Sequence, residues 1–366
     1  MSGLRWAVAG GGTGGHVTLA LALAERIAAR GDDVLLVGTE QGLEARLAPE
    51  AGFRLVKLSA RQMMGRGLLA RLAALPVLAR ACLSAWRILG REGSQIVVSV
   101  GGYASVPAVV AAAARRLPVA LVEPNAIPGR ANLYAGRLAR RIFVGFDAAA
   151  PRFGASAARV EISGIPLRAK LVAAFADAAP RRHPEPPLRL LVFGGSQGAR
   201  QINDAMLEAA PSLCSLPVEV FHQTGASDRE RVAAGYAAAG LEATVVDFEA
   251  DMPGRYRWAD LALCRAGALT VAELAMAGLP ALLVPYPYAA DDHQRANASA
   301  LAQAGAARLL DSRPLPGADV AKAIGEILAS PEELARMGRA AAALARPEAA
   351  LHITAACAAL VNEGSR

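Results

Sequence analysis

One unit occurs twice in this chain and constrains its fold more than anything else: a short apolar run, a glycine-rich turn, then a helical stretch. The first copy runs Leu4 to Ala9, then Gly10-Gly11-Gly12-Thr13-Gly14-Gly15-His16, then Val17 to Arg30, which has neither proline nor glycine. The second runs Leu188 to Phe193, then Gly194-Gly195-Ser196-Gln197-Gly198-Ala199, then on to Ala210. Five glycines in six positions of the first turn remove Cβ atoms, so bare N–H groups can approach a ligand closely. Where such a turn joins a strand to a helix, unpaired N–H groups and the positive end of the helix dipole converge on an anion. His16 is the only titratable side chain of the first turn. Gly10, Gly12 and Gly15, with Asp32 or Asp33 near the ribose position, also fit the dinucleotide fingerprint, so a nicotinamide dehydrogenase is a reading to eliminate. The second glycine loop, which a dehydrogenase does not need, counts against it.

Apolar runs at Leu4–Ala9, Val34–Val37, Phe53–Leu58, Ile96–Val100, Val119–Val122 and Arg141–Val144 alternate with helical patterns. The pattern resumes with Leu188–Phe193, Val218–His222, Ala243–Phe248, Leu261–Cys264 and Ala281–Pro285, and ends in an alanine-rich helical tail, Pro331 to Asn362. Alternation of this kind predicts an α/β protein built on parallel sheets covered on both faces. Ligands in such sheets bind at the carboxyl ends of the strands, which singles out Gly10–His16, Gly101-Gly102-Tyr103 and Glu123-Pro124-Asn125. At 366 residues the chain suggests two domains, and prolines at 166, 180, 184, 186 and 187 crowd the connection. The reading is two Rossmann-like doubly wound domains facing across a cleft, the geometry of a transferase with a donor in one half and an acceptor in the other.

Hydrophobic residues make up 54% and charged residues 19%, a globular composition. The net charge of +7 calls for an anionic partner, either a phosphorylated substrate or an acidic membrane face. Nucleic acid is disfavoured, because no lysine-rich tail, zinc spacing or RNA-binding aromatic motif is present. Cys82, Cys214, Cys264 and Cys357 form no Cys-x-x-Cys pair and fit a reducing compartment. With no signal peptide and no run of about 20 apolar residues, a cytoplasmic protein without a transmembrane helix is expected.

Residues 51–91 hold eight Lys or Arg and no Asp or Glu. Pro76 is expected to divide this run into two helical pieces. Arg66, Leu68, Leu69, Arg71, Leu72, Leu75, Leu78, Arg80, Trp86 and Arg87 read as a membrane-facing segment, with apolar side chains at the lipid boundary and arginines on anionic headgroups. The competing reading is a core-facing helix pair with a solvated basic side.

Chemistry concentrates in the second half. In Cys264-Arg265-Ala266-Gly267-Ala268-Leu269-Thr270-Val271-Ala272-Glu273 a strand end meets a helix start, offering N–H donors to a pyrophosphate. Glu273, about a turn later, can accept two ribose hydroxyls, or simply cap the first turn. Asp291, Asp292, His293 and Gln294 can hydrogen-bond a sugar; adjacent residues on one loop rarely converge on a metal, so no metal is expected.

Taken together, Gly11–His16, Gly101–Tyr103, Gly194–Ala199, Arg265–Glu273 and Asp292–Gln294, in order and suitably spaced, resemble the undecaprenyldiphospho-muramoylpentapeptide β-N-acetylglucosaminyltransferases of bacterial peptidoglycan synthesis. The resemblance covers nearly the whole chain. It implies a GT-B fold, with an acceptor- and membrane-facing domain at 1–163, a UDP-sugar domain at 164–345, and a helix at 346–366 returning to the first. The implied reaction is inverting transfer of N-acetylglucosamine from UDP-N-acetylglucosamine to the C4 hydroxyl of the muramoyl sugar of lipid I, giving lipid II. It implies a peripheral protein at the cytoplasmic face of the inner membrane, with cell-wall synthesis and division proteins as partners.

By position the resemblance assigns the donor to Ser196, Ala268, Leu269, Thr270, Glu273, Gln294, Arg168, Phe248 and the backbone of Glu249. From the first domain it adds Thr13, Gly14, Gly15 and Asn125. The chain departs from the family in Val17-Thr18-Leu19-Ala20 after the histidine, in Pro124 and in Ile165. An inverting transfer needs a base, for which His16 is favoured and Glu123 is the runner-up. Helix N-termini and arginines can stabilise the departing diphosphate, so no obligatory cofactor is expected. A UDP-N-acetylglucosamine 2-epimerase-like enzyme is the alternative. The second glycine loop is the better placed for the donor, which frees the first for the acceptor's own diphosphate.

Overall fold

The computed structural model describes residues 3–39, 42–58, 68–176, 186–195 and 197–364, and of 68–75 and 364 the backbone alone. Arg66 and Ser196 lie outside the described residues, and for Leu68, Leu69, Arg71, Leu72 and Leu75 only a helical backbone is described. The chain forms two compact units, Met1–Val172 with Arg346–Arg366, and Ala173–Ala345.

The first unit runs β1 (Arg5–Gly10), α1 (Gly14–Ala29), β2 (Asp33–Thr39), α2 (Glu44–Glu50), β3 (Arg54–Leu58), α3 (Leu68–Arg91), β4 (Ile96–Gly101) and α4 (Val106–Ala114). It continues with β5 (Val119–Glu123), α5 (Arg130–Gly136), β6 (Arg141–Val144), β7 (Val160–Ile162) and α6 (Ala169–Phe175), inside which the division between units falls. All pairings are parallel, in the order β3-β2-β1-β4-β5-β6-β7. The central strands are buried along almost their whole length, as strands covered on both faces must be, which is why they read as unbroken apolar runs. Ala7, Val37, Val97, Leu121 and Ile142 of the sheet pack with Ala85 and Leu89 of α3 and Ala108 and Val109 of α4.

In the second unit β8 (Leu188–Phe193), α7 (Arg200–Leu213), β9 (Val218–Gln223), α8 (Arg229–Ala239), β10 (Ala243–Val246), α9 (Met252–Trp258) and β11 (Leu261–Cys264) are followed by α10 (Ala268–Ala277), β12 (Ala281–Leu283), α11 (His293–Gln303), β13 (Ala307–Leu309), α12 (Gly317–Leu328) and α13 (Pro331–Ala343). Its sheet is again parallel, in the order β10-β9-β8-β11-β12-β13, over a core that includes Leu190, Val192, Ile202, Met206, Leu263 and Ile324. The last helix, α14 (Ala349–Gly364), belongs to the first unit and packs on α1. In each sheet the strand order reverses beside the first strand, between β1 and β4 and between β8 and β11. The loops leaving those strand pairs diverge there and open a crevice at their carboxyl ends.

Four local expectations need correction. Helix α1 starts at Gly14 and not at Val17, because Thr13 is extended (φ −138°, ψ 152°) and its carbonyl accepts from Val17 N at 3.2 Å. His16 therefore sits in the first helical turn. Pro76 does not divide α3, which is continuous over 24 residues: one lost backbone bond is outweighed by packing of its Ala81, Ala85 and Leu89 face. The alanine-rich tail is two helices, broken at Pro347, which cannot donate and disfavours a helical Arg346. The division between units lies at Val172/Ala173, beyond 163/164. The Glu25 carboxylate holds Arg168 Nε (2.7 Å) and Ala169 N (2.9 Å), tying the start of α6 to α1.

Candidate active site

At the carboxyl ends of β1 and β4 the backbones of Gly10–Thr13 and Gly101–Tyr103 come close together. A Cβ on Gly102 (φ +81°) would fall 2.5 Å from Gly11 O, so only glycine allows this approach. His16 Nδ1 lies 2.9 Å from Thr13 Oγ1, and its ring packs along Gly101 and Gly102. The loop also rests on a carboxylate that the sequence reading passed over. Glu44 is buried; its Oε2 accepts from Gly12 N (3.3 Å), and its Oε1 from Thr39 N (2.8 Å) and Thr39 Oγ1 (2.7 Å). Burial alone would push its pKa up, but these hydrogen bonds outweigh it and hold the carboxyl below its ordinary value. Gly11, Gly38 and Gly42 all press on this side chain: a Cβ on any of them would collide with it.

Glu123, the runner-up for the base, has another task. It is 1% exposed; Oε1 accepts from Asn125 N (2.9 Å) and Nδ2 (3.1 Å), Oε2 from Gly129 N (3.0 Å) and Asn132 Nδ2 (2.7 Å). Burial pushes its pKa up while the four donors oppose it. A general base must present a lone pair to the substrate, and here both oxygens are engaged by the protein's own loop. Glu123 therefore shapes the turn that carries Asn125.

In the second unit the loops after β8 and β9 meet back to back. A Cβ on Gly198 (φ +73°) would lie 1.8 Å from Thr224 O, and one on Gly225 (φ +81°) would lie 2.4 Å from Gln197 O. Gln223 Nε2 donates to Gly195 O at 2.8 Å, fixing the loop from the sheet side. Behind it stands a buried polar network: Asn203 Nδ2 donates to Thr224 O (3.1 Å) and Asp228 Oδ2 (2.8 Å). His222 bridges Asn203 Oδ1 (3.1 Å) and the Tyr236 hydroxyl (2.7 Å), and burial pushes its pKa down to about 3.

Helix α10 has Gly267 as its N-cap and no acidic residue in its first turn, so among the described residues no capping side chain takes up the N–H groups of Ala268, Leu269 and Thr270. Glu273 accepts from the Tyr256 hydroxyl at 2.7 Å, and burial pushes its pKa up to about 7. Phe248, just past β10, is 58% exposed and its N–H donates to Asp247 Oδ1 (2.9 Å), while the Glu249 side chain is turned to Arg255 (2.7 Å). Gln294 Oε1 accepts from Tyr286 N at 2.9 Å, which leaves its amide NH2 to donate. Arg168 is engaged by Glu25 in the first unit. Among the described residues no group of three His, Cys, Asp or Glu is arranged to hold a metal.

Two family models match the chain: the glycosyltransferase family 28 N-terminal domain over residues 6–144 and the C-terminal domain over residues 189–353. The chain belongs to glycosyltransferase family 28. A family 28 relative from Anaeromyxobacter sp. (strain K), named UDP-N-acetylglucosamine--N-acetylmuramyl-(pentapeptide) pyrophosphoryl-undecaprenol N-acetylglucosamine transferase, is 45% identical over 363 residues, covering 98% of this chain and 94% of the relative. The crystal structure of Acinetobacter baumannii MurG superposes with a TM-score of 0.79 at 32% identity, over 97% of this chain and 99% of that one. The family 28 chain also shares its fold with a putative UDP-N-acetylglucosamine 2-epimerase from Listeria monocytogenes (TM-score 0.71, 15% identity, 99% of this chain and 97% of that one). Both sheets are thus those of a GT-B glycosyltransferase, and the dinucleotide-like spacing of Gly10, Gly12 and Gly15 is a coincidence of loop geometry.

Proposed function

We propose that this protein transfers N-acetylglucosamine from UDP-N-acetylglucosamine to the C4 hydroxyl of the muramoyl sugar of an undecaprenyl-diphosphate-linked acceptor, inverting the anomeric centre and releasing UDP. The observation that carries the reading is the open N-terminus of α10 with Glu273 and Tyr256 behind it, on a chain 45% identical to transferases named for that reaction. The α10 N–H groups take the diphosphate, the Glu273 carboxylate the ribose hydroxyls, Phe248 and the Glu249 backbone the uracil, and the Gln294 amide the sugar hydroxyls. Ser196 joins the diphosphate contacts; Thr13, Gly14, Gly15, Asn125 and Arg168 complete the substrate contacts from the first unit.

His16 is the base. Its ring is held by the 2.9 Å contact between Nδ1 and Thr13 Oγ1, and Nε2 takes the proton of the attacking hydroxyl. As the acceptor oxygen bonds to C1, the bond from C1 to the diphosphate breaks and its electron pair leaves on UDP. Positive charge and N–H donors on the protein serve the leaving group, so the transfer has no obligatory cofactor and runs undiminished in EDTA.

The membrane side of the reading rests on α3, where Leu83 (47% exposed) and Trp86 (43%) stand among exposed Arg80 and Arg87, with Leu78 half-buried. Among the described residues no helix is long and apolar enough to cross a membrane. A peripheral position on the cytoplasmic face, near cell-wall synthesis and division proteins, fits an acceptor anchored there.

Incubation of the pure protein with UDP-N-acetylglucosamine, with and without a lipid I analogue, tests the proposal. UDP release that requires the lipid supports it. Lipid-independent release or isomerisation favours the epimerase-like enzyme instead. His16→Ala should bind UDP normally and lose turnover; retained turnover removes His16 as the base. Flotation with acidic liposomes should weaken after charge reversal at Arg80 and Arg87.

A further inference from the structure

Asn132, in the first turn of α5, is 3% exposed and carries a buried oxygen that the fold does not satisfy. Its Nδ2 donates to Glu123 Oε2 at 2.7 Å, while its Oδ1 has no hydrogen-bond partner among the described residues. The amide cannot be turned round. A carboxylate only accepts, and the Glu123 oxygens are met by the N–H groups of Asn125, Gly129 and Asn132, so the amide nitrogen belongs on that side. Glu123 thus aims Oδ1 away from itself. A buried acceptor left unmet costs about 1–3 kcal/mol, so its presence asks for a partner that arrives at some stage of the protein's work.

The other side of the amide faces the first-unit crevice. A Cβ on Gly101 (φ +93°) would fall 2.9 Å from Asn132 Nδ2, 3.0 Å from Asn132 Oδ1 and 3.2 Å from His16 Nε2. The amide and the imidazole therefore flank one bare α-carbon, and any side chain at 101 would wedge between them. The titratable groups on the surrounding elements are Glu123 behind Asn132, Glu44 behind Gly11 and Gly12, and Tyr103 against Gly12. Both carboxylates are held by donors of their own loops, whereas Asn132 Oδ1 is held by none. We infer that Asn132 is a positioning residue for the base: its Oδ1 accepts from the Nε2–H of His16 once His16 has taken the acceptor's proton. This rests on the transferase reading above. The O–H bond of the attacking hydroxyl breaks, the Nε2–H bond forms, and the electron pair of the bond from C1 to the diphosphate leaves with UDP. The hydrogen bond to Oδ1 then holds the imidazolium and moves no further proton. An amide suits this place, because a carboxylate beside the ring would keep His16 protonated before the reaction and remove the base.

The test titrates the histidines of the labelled full-length protein by NMR and follows lipid-dependent transfer, for the parent, Asn132→Leu and Asn132→Ser. His16→Gln assigns the His16 signal among the five histidines. Asn132→Leu removes the acceptor at nearly the same volume, so His16 should titrate at least about half a pH unit lower than in the parent. In the same variant kcat should fall about ten- to hundredfold, part of what acid–base catalysis supplies, with KM for UDP-N-acetylglucosamine within about twofold. The acid limb of the kcat/KM profile for the lipid acceptor should move down with the NMR titration. Asn132→Ser keeps a hydroxyl donor for Glu123 and should show the same direction on both readouts, which separates the lost acceptor from the lost Glu123 contact. The inference is overturned if His16 titrates within about 0.2 pH unit of the parent in either folded variant, or if kcat and UDP affinity fall together, which marks a purely structural amide. Should Asn132→Leu not fold, Asn132→Ser decides on the same two readouts. A parent protein without lipid-dependent transfer refutes the functional reading, and the NMR titration still reads whether Asn132 acts on His16.

Discussion

Tyr256 donates its hydroxyl to Glu273 Oε2 across 2.7 Å, and that bond only partly offsets the burial that lifts Glu273 from 4.5 to about 7. Between those values the folded protein binds more protons than the unfolded chain, so this group's contribution falls as pH rises through the window, at about 1.4 kcal/mol per unit. Glu273→Gln should therefore raise Tm at pH 8 by about 2 °C or more and leave it unchanged near pH 4.5. The same substitution should weaken UDP binding, most clearly above pH 7, where the parent presents an ionised acceptor. A Tm difference that is constant across pH refutes the argument.

Glu44 accepts from two separate stretches, Gly12 in the loop after β1 and Thr39 at the end of β2. Glu44→Gln puts an amide donor among donors and should cost about 2 kcal/mol in urea unfolding. Because the residue supports the first-unit loop only, KM for the lipid acceptor should rise while UDP affinity stays within about twofold. Equal losses of both would mean a general loss of structure.

The contact between Gly198 and Thr224 O leaves no room for a side chain. Gly198→Ala should abolish measurable UDP binding or destabilise the protein by about 3 kcal/mol. Gly240 also has a positive φ (+70°), but a Cβ there meets nothing, so Gly240→Ala should cost only about 1 kcal/mol. Similar costs at the two positions would show that φ, and not the close approach, matters.

His222 titrates near 3 when folded against 6.5 in its ordinary state, because burial penalises the imidazolium. Below pH 6.5 the unfolded chain binds more protons, so the stability this residue confers is lost as pH falls. His222→Leu strands Asn203 Oδ1 and the Tyr236 hydroxyl and should be less stable by about 2 kcal/mol at pH 7.5. That gap should narrow by pH 4.5 in urea titrations; a gap independent of pH excludes the titration.

Much of this molecule was legible in its sequence, for physical reasons. Strands buried on both faces leave apolar runs, so β1, β4, β5 and β8 could be read directly, and glycine turns mark the ends of two of them. The three-residue strands β7 and β13 left too short a signal, and their pairing is fixed by the neighbouring strand and not by local pattern. Pro76 misled because tertiary packing of α3 outweighs one lost hydrogen bond, while Pro347, with no such packing to override it, did break its helix. Glu44 and Asn132 went unread because nothing local distinguishes a buried carboxylate or amide from a solvated one. Only the glycines that surround Glu44 hinted at it: Gly38 and Gly42 flank Thr39 just ahead of it, and Gly11 faces it from the first loop.

Helix α14 returns to the first unit: Ile353 and Cys357 are buried, Glu161 lies 2.5 Å from His352, and Arg346 fills the space above Gly164. The second unit, by contrast, is continuous in sequence from Ala173 to Ala345. During synthesis the ribosome therefore finishes the second unit while the first still lacks a wall beside α1. The first part of the chain to emerge is the last to close, and what seals it arrives only after every residue of the other half has been made.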